Sequence, residues 1–440
     1  MALHRDGRLD QAEPLYQRLL ASDPDHVEAL HFLGVLQHQR GRSDQAMACI
    51  ERAISLAPDY ADAHNNLGNV LKETNQIEPA LRAYRRVVAL NPRHADAWNN
   101  LGVLLRGQGQ YDEADRAYAR ALNANPALVT AWQNRGNLLA RVGRLEEAIA
   151  AYSRAAELRP GNTTAYDALG KTLYRARRID QAIHVYRQWL QADPGSSVAR
   201  HMLAACTGEA TPERASDGYV RDVFDAFAGS FDQVLDQLGY RAPALIGEWL
   251  ERVLPSPDAS LVAADAGCGT GLCAAFLRPR ARRLVGVDLS AGMLARAGAR
   301  GVYDDLVEAE LSTWLMGQAS VYDLIVAADT FCYFGSLDEP LAGSGAAMRP
   351  GGLLAFTVEQ ASGDVREYVL EASGRYTHAE AYVRRALVKA HLTLLDIESV
   401  VLRREGGHDV NGLLVSASRP AEMDPSPADG QRTVGGNGRE

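Results

Sequence analysis

Leu261-Val-Ala-Ala-Asp265-Ala-Gly267-Cys268-Gly269-Thr-Gly271 decides the fold of the second half of this chain. A short apolar run reaches an acid, and three glycines then alternate. Glycine lets backbone adopt left-handed conformations and approach a ligand closely, so the segment predicts a strand followed by a binding turn. Further apolar runs follow at Leu284–Val287, Tyr322–Ala327 and Gly352–Val358, with helical stretches between them. That alternation predicts β-α-β units and a parallel sheet, whose ligands bind outside the carboxyl ends of the strands.

The second strand ends at Asp288 in Val285-Gly-Val-Asp288-Leu289-Ser290. A carboxylate placed there can accept hydrogen bonds from both hydroxyls of a ribose, which suits NAD or S-adenosylmethionine. The dinucleotide fingerprint asks for another glycine where this chain has Leu272, which weakens the dehydrogenase reading.

Upstream the order is of another kind. Ala12, Ala46, Ala80, Ala114, Ala148 and Ala182 stand 34 residues apart. Twelve residues after each comes a proline, Pro24 to Pro194, and twelve before come Gly34, Gly68, Gly102, Gly136 and Gly170. Four after come Tyr16, Ile50, Tyr84, Tyr118, Tyr152 and Tyr186. Small residues let two antiparallel helices approach, the tyrosine fills the space beside them, and proline punctuates the boundary. The pattern resembles the tetratricopeptide repeat. It gives full units at 27–60, 61–94, 95–128, 129–162 and 163–196 after an incomplete first one. Met1 falls midway through that unit's first helix, so either the helix frays or the true start lies upstream. A closing helix is expected near Val198–Cys206.

Such arrays bind peptides or proteins on a concave face. Asn66, Asn100 and Asn134 recur two residues before the glycine. Resemblance to the repeats of O-linked N-acetylglucosamine transferase implies that they grip a ligand's main chain. Bonding to a neighbouring repeat is the alternative.

Net charge is −9, from 46 basic and 55 acidic residues, which argues against broad phosphate binding, and no nucleic-acid partner is expected. The five cysteines have no metal-ligand spacing, so reduced thiols in a cytoplasmic protein are the simplest reading and no metal is expected. No apolar run is long enough to span a bilayer.

Asp265 opening Gly-Cys-Gly-Thr-Gly resembles motif I of the class I S-adenosylmethionine-dependent methyltransferases. Tyr322 to Asp329 resembles their motif IV, and Met348-Arg-Pro350-Gly351-Gly352 the turn before strand five. The expected fold is an all-α tetratricopeptide superhelix (1–209), then an α/β Rossmann-like domain with a mostly parallel seven-stranded sheet (210–418), then a disordered tail (419–440). Val410–Leu414 reads as a turn before the closing strand. The combination resembles predicted bacterial methyltransferases with N-terminal tetratricopeptide repeats.

The resemblance implies S-adenosylmethionine as cofactor. It implies that Gly267, Gly269 and Gly271 line its methionine part, with Cys268 a small filler, and that Asp265 holds the turn and approaches the amino group. Asp288 takes the ribose, Leu289 and Met293 lie beside the adenine, and Glu310 and Leu311 flank the purine, with Glu308 competing for Glu310's role. Ala328 lines the site at the fourth strand, and Asp323, preceding that strand, is structural. Phe224, Phe227 and Phe231 form a lid or pack a core. Asp329, Tyr333, Glu359 and His378 stand near the mouth, and Asp329, Tyr333 and His378 are the candidate catalytic groups. No metal is needed for displacement from a sulfonium, although a base helps when the acceptor carries a proton. An interaction scaffold whose methyltransferase-like fold senses the cofactor is the competing reading.

Overall fold

A computed structural model describes residues 2–421 and divides them into two compact units, the first ending at Asp193 and the second beginning at Pro194.

The first unit is built of antiparallel helix pairs. The first helices of the full repeats are Val27–Gln39, Ala61–Glu73, Ala95–Gly107, Val129–Arg141 and Thr163–Arg175. Their partners are Ser43–Leu56, Ile77–Leu90, Tyr111–Ala124, Leu145–Leu158 and Ile179–Ala192. The periodic residues meet as their sizes require. A Cβ on Gly102 would stand 2.7 Å from the Tyr118 ring, and one on Gly136 would stand 2.6 Å from Tyr152. Tyr84, Tyr118 and Tyr186 are fully buried, as are Ala46, Ala80, Ala114, Ala148 and Ala182. Gly102→Ala should therefore force the Tyr118 ring out of its slot. We expect a loss of about 1–3 kcal/mol, read as a lower midpoint in denaturant; an unchanged midpoint would show that the slot relaxes freely.

The helix expected to close the array, Ser197–Thr207, belongs to the second unit. Its His201 stacks on Tyr219 at 3.8 Å and hydrogen-bonds through Nε2 to the Gly374 carbonyl at 2.9 Å.

The second unit holds a nine-stranded, mostly parallel sheet rather than the seven strands expected. The strands are β1 (Leu261–Ala266), β2 (Ala281–Asp288), β3 (Asp305–Glu308), β4 (Tyr322–Ala327), β5 (Met348–Gln360), β6 (Tyr368–Leu370), β7 (Tyr376–His378), β8 (Thr393–Glu405) and β9 (His408–Ser418). One path runs β3-β2-β1-β4-β5-β7-β6, while β9 pairs antiparallel with both β5 and β8. β5 is long enough to take two partners on one edge, β4 from Met348 to Phe356 and β7 at Glu359–Gln360, while β9 lies along the other edge from Leu353 to Glu359. The additional strands are the β6–β7 pair.

Val410–Leu414 is strand, not turn. The chain reverses at Gly406-Gly407, both with positive φ, because the left-handed backbone needed there favours glycine. Of the predicted tail, 422–440 lies outside the described residues. Arg419 itself is held, its N–H donating to the Gly352 carbonyl at 2.9 Å and its guanidinium to Met348 O at 2.6 Å. Asp323 is structural, accepting from the Val262 N–H at 2.8 Å and from Arg349 at 2.7 Å.

Chain order places β2 on one side of β1 and β4 on the other. The crevice at that reversal, outside the carboxyl ends of β1 and β4, is where a doubly wound sheet receives its ligand.

Candidate active site

The glycine turn leaves β1 at this crevice. Gly267, Gly269 and Gly271 all take positive φ, at 76°, 54° and 87°. The N–H groups of Gly267 and Cys268 both donate to the Val287 carbonyl, at 2.8 and 2.9 Å, which ties the turn to the end of β2. A Cβ on Gly267 would collide with Thr330, and one on Gly271 would press on Tyr303 at 3.0 Å. Gly269 meets only the edge of Phe231, at 3.9 Å, so its face is the open one. Cys268 is buried and its thiol is pushed upward by that burial, as a filler's would be.

Asp288 ends β2 with its carboxylate fixed from two sides. Oδ2 accepts from the Gly269 N–H at 2.8 Å and Oδ1 from the Ser290 N–H at 2.9 Å. Burial raises its pKa, while these backbone donors oppose the rise. Each oxygen retains a lone pair, so the group can take two further donors side by side. Met293 is fully buried and Leu311 nearly so, while Leu289 and Ala328 are half-buried.

Asp265 is 1 % exposed, and its Oδ2 accepts from the Tyr303 hydroxyl at 2.6 Å. Burial drives its pKa up to about 7; the Tyr303 bond opposes the rise and the charge of Asp288 adds to it. At neutral pH this carboxyl is divided between its two protonation states.

Two assignments change. Glu310 is the N-cap of the helix Leu311–Met316: its carboxylate accepts from Ser312 N at 3.0 Å, Thr313 N at 2.8 Å and Thr313 Oγ1 at 2.7 Å. The cap fills Oε2 with two donors and fixes the carboxylate on its own helix, leaving one lone pair on Oε1. Glu308, in register beside Asp288 on β3, is exposed. His378 is fully buried, with Nε2 on the Gly335 carbonyl at 3.1 Å, and burial lowers its pKa to about 4. A neutral imidazole sealed against Tyr382 and Tyr368 braces the β6–β7 pair and does not serve as a base.

Asp329 and Tyr333 follow the carboxyl end of β4 and are both half-buried. Tyr333 meets Phe224 edge to face at 5.3 Å. Phe224 and Phe227 in turn pack on Phe231, at 6.2 and 5.3 Å. The helices carrying them, Asp217–Phe227 and Phe231–Gln237, cross the crevice and are latched at two points. Asp225 accepts from Ser290 Oγ and from the Gly292 N–H at 3.0 Å. Asp232 accepts from Thr270 Oγ1, inside the glycine turn, and from Arg300 at 2.6 Å. The helix Phe231–Gln237 has no buried residue, so polar latches hold it more than packing does. Asp232→Ala should weaken binding of a ligand in the crevice by about tenfold, the worth of one charge-assisted hydrogen bond, and speed tryptic cleavage at Arg221. Unchanged affinity and cleavage would dismiss the latch.

Sequence spacing gave no signal for Tyr303, Thr330, Asp225, Asp232, Arg375 or Arg403. In the first unit, each recurring asparagine bonds back to the preceding repeat. Asn66 Nδ2 meets His31 at 2.7 Å, Asn100 donates to Asn69 at 3.2 Å, and Asn134 donates to Asn99 at 3.0 Å. One N–H of each amide is used between repeats. The carbonyl half has no partner among the described residues.

Residues 2–222, half of the chain, match the family described as the cilia and flagella-associated protein 70 C-terminal domain, and residues 238–392 match a methyltransferase domain. The chain is 35% identical over 157 residues to methyltransferase-like protein 27 of Homo sapiens, covering 34% of this chain and 62% of that protein. It is 29% identical over 163 residues to the trans-aconitate 2-methyltransferase of Paracidovorax citrulli (strain AAC00-1), covering 36% and 62%. The chain thus spans less than two thirds of these curated relatives. Among solved structures, MamA is similar at 28% identity and a TM-score of 0.34, over 36% of this chain and 92% of that one. Among the described residues, no helix is long and apolar enough to cross a membrane.

Proposed function

We propose, for a chain that belongs to the family of the cilia and flagella-associated protein 70 C-terminal domain and carries a methyltransferase domain behind it, that the second unit transfers a methyl group from S-adenosylmethionine while the repeats recruit a protein partner. The observation that carries this reading is the Asp288 carboxylate, fixed by Gly269 N–H and Ser290 N–H with two lone pairs left for a ribose diol.

The residues present fit the cofactor. Gly269 offers an open backbone face to its methionine part, Asp288 would take the ribose, and Glu308 stands beside it for the purine amine. Asp265 would meet the cofactor's ammonium, a cation that favours its ionised form. The cofactor supplies an activated methyl on sulfur; the protein's work is to place the acceptor in line and exclude water. Phe224, Phe231 and Tyr333 supply that cover, and Asp225 and Asp232 hold it shut.

On the repeats, the free carbonyls of Asn66, Asn100 and Asn134 would accept main-chain N–H groups of an extended partner; one N–H of each amide is already committed between repeats.

The test is calorimetry of the full chain with S-adenosylhomocysteine, with NAD as competitor. Saturable binding that NAD leaves undisturbed supports the reading. No heat at millimolar ligand rejects it.

A further inference from the structure

Asp329 lies two residues past the carboxyl end of β4, next to Thr330, whose Oγ1 donates to the Ala266 carbonyl at 3.0 Å beside the glycine turn. It holds left-handed backbone, φ 55°, and its N–H donates to Thr357 Oγ1 at 2.8 Å. A non-glycine residue kept in that region costs free energy, and such positions cluster at functional sites. Oδ2 accepts from Arg403 at 3.0 Å. Oδ1 is buried and has no hydrogen-bond partner among the described residues. A buried carboxylate oxygen left without a donor asks for one from outside the fold.

The surroundings say which kind. Arg403, 2 % exposed, also meets Glu405 at 2.7 Å and Glu359. Arg375 pairs with Glu359 at 2.6 Å and with Glu405. Two guanidiniums thus face three carboxylates, and each guanidinium is already shared between carboxylates. Arg375 Nε makes an ion pair with Glu359 without hydrogen-bond geometry, but three carboxylates outnumber two guanidiniums, so an anionic acceptor would meet an excess of negative charge. A donor with positive charge would find both the excess and the vacant oxygen.

Resting on the methyl-transfer reading above, we propose that Oδ1 of Asp329 receives the N–H of the methyl acceptor, and that this acceptor is a primary amine rather than a carboxylate. The amine arrives as ammonium and gives one proton to Asp329. Burial supports that transfer by raising the carboxyl's proton affinity against the pull of Arg403. The freed nitrogen pair then forms the N–C bond as the C–S bond breaks with its electron pair left on sulfur. The product leaves as the methylammonium cation, and Asp329 gives the proton it took to solvent, which restores the carboxylate.

Sinefungin tests this without knowledge of the acceptor, because it carries an amine where the sulfonium methyl would be. Calorimetry of the full chain should give sinefungin about tenfold tighter binding than S-adenosylhomocysteine, the worth of one charge-assisted hydrogen bond. In Asp329→Asn the two ligands should come within about twofold of each other, with S-adenosylhomocysteine affinity unchanged. Absence of preference in the wild type overturns the inference even if the variant fails to fold, and so does a preference that survives Asp329→Asn. Failure of S-adenosylhomocysteine to bind at all overturns the methyl-transfer reading and this inference together; binding without preference overturns this inference alone.

Discussion

Asp288→Ala is expected to weaken S-adenosylhomocysteine binding by at least about 100-fold. Hydrogen bonds to a charged group are each worth about 1.5–3 kcal/mol, and two are lost from the ribose. The same change releases the Gly269 and Ser290 N–H groups, so the glycine turn loses one of its tethers to the end of β2 and keeps those of Gly267 and Cys268 to the Val287 carbonyl. Asp288→Asn separates the two effects: it keeps the shape but offers a single acceptor oxygen, and its affinity should fall between the others. Calorimetry gives the affinities, and thermal unfolding of the free protein verifies that the variants are folded. Alanine-variant affinity within threefold of the wild type would remove the carboxylate from the ribose site.

Asp265→Asn is expected to stabilise the free protein above neutral pH and to flatten its pH dependence. The sign follows from the raised pKa. A carboxyl near 7 when folded, against about 3.8 when unfolded, binds more protons in the folded state across that interval. Stability is therefore greatest below about pH 4, falls as pH rises towards 7 and levels off above it. The full loss is about 4 kcal/mol at most, from roughly three pKa units at 1.36 kcal/mol each. Asparagine keeps an acceptor for the Tyr303 hydroxyl, 2.6 Å away, and carries no charge to bury. Urea midpoints at pH 5 and pH 8 read the effect. A wild-type protein as stable at pH 8 as at pH 5 would refute it. The same half-titrated carboxyl should release about half a proton per cofactor bound near pH 7, seen as heats that vary with the buffer's ionisation enthalpy. That release should vanish in Asp265→Asn, together with part of the affinity.

The two charges differ in legibility for a physical reason. Asp288 was readable because its place is set by local order: a strand ends, a glycine turn lies beside it, and the backbone does the rest. Glu310 had an equally suggestive place, yet the helix beginning at Leu311 needed a cap and took its carboxylate. His378 follows strand five, where acceptor sites are often built, but it is itself the end of β7, paired with Tyr368 of β6 and fully buried. The asparagine ladder was regular for a reason internal to the array, since neighbouring repeats must bond to one another as well as bind something.

The sequence by itself determined what repeats or alternates. The 34-residue period, the alternation of strand and helix, the glycine turn and the carboxylate at the tip of β2 follow from residue size, backbone freedom and apolar pattern, all expressed over short stretches of chain. Only the tertiary structure decided which side chains meet across the crevice. Tyr303 reaches Asp265 and Asp232 reaches Thr270 over 38 positions, and Arg403 reaches Asp329 over 74. Those pairings depend on strand order and on where the lid helices cross, and no spacing in the chain records them. Burial, which moves the proton equilibria of Asp265, Asp329 and His378 away from their ordinary values, exists only once the sheet and its cover have closed around them.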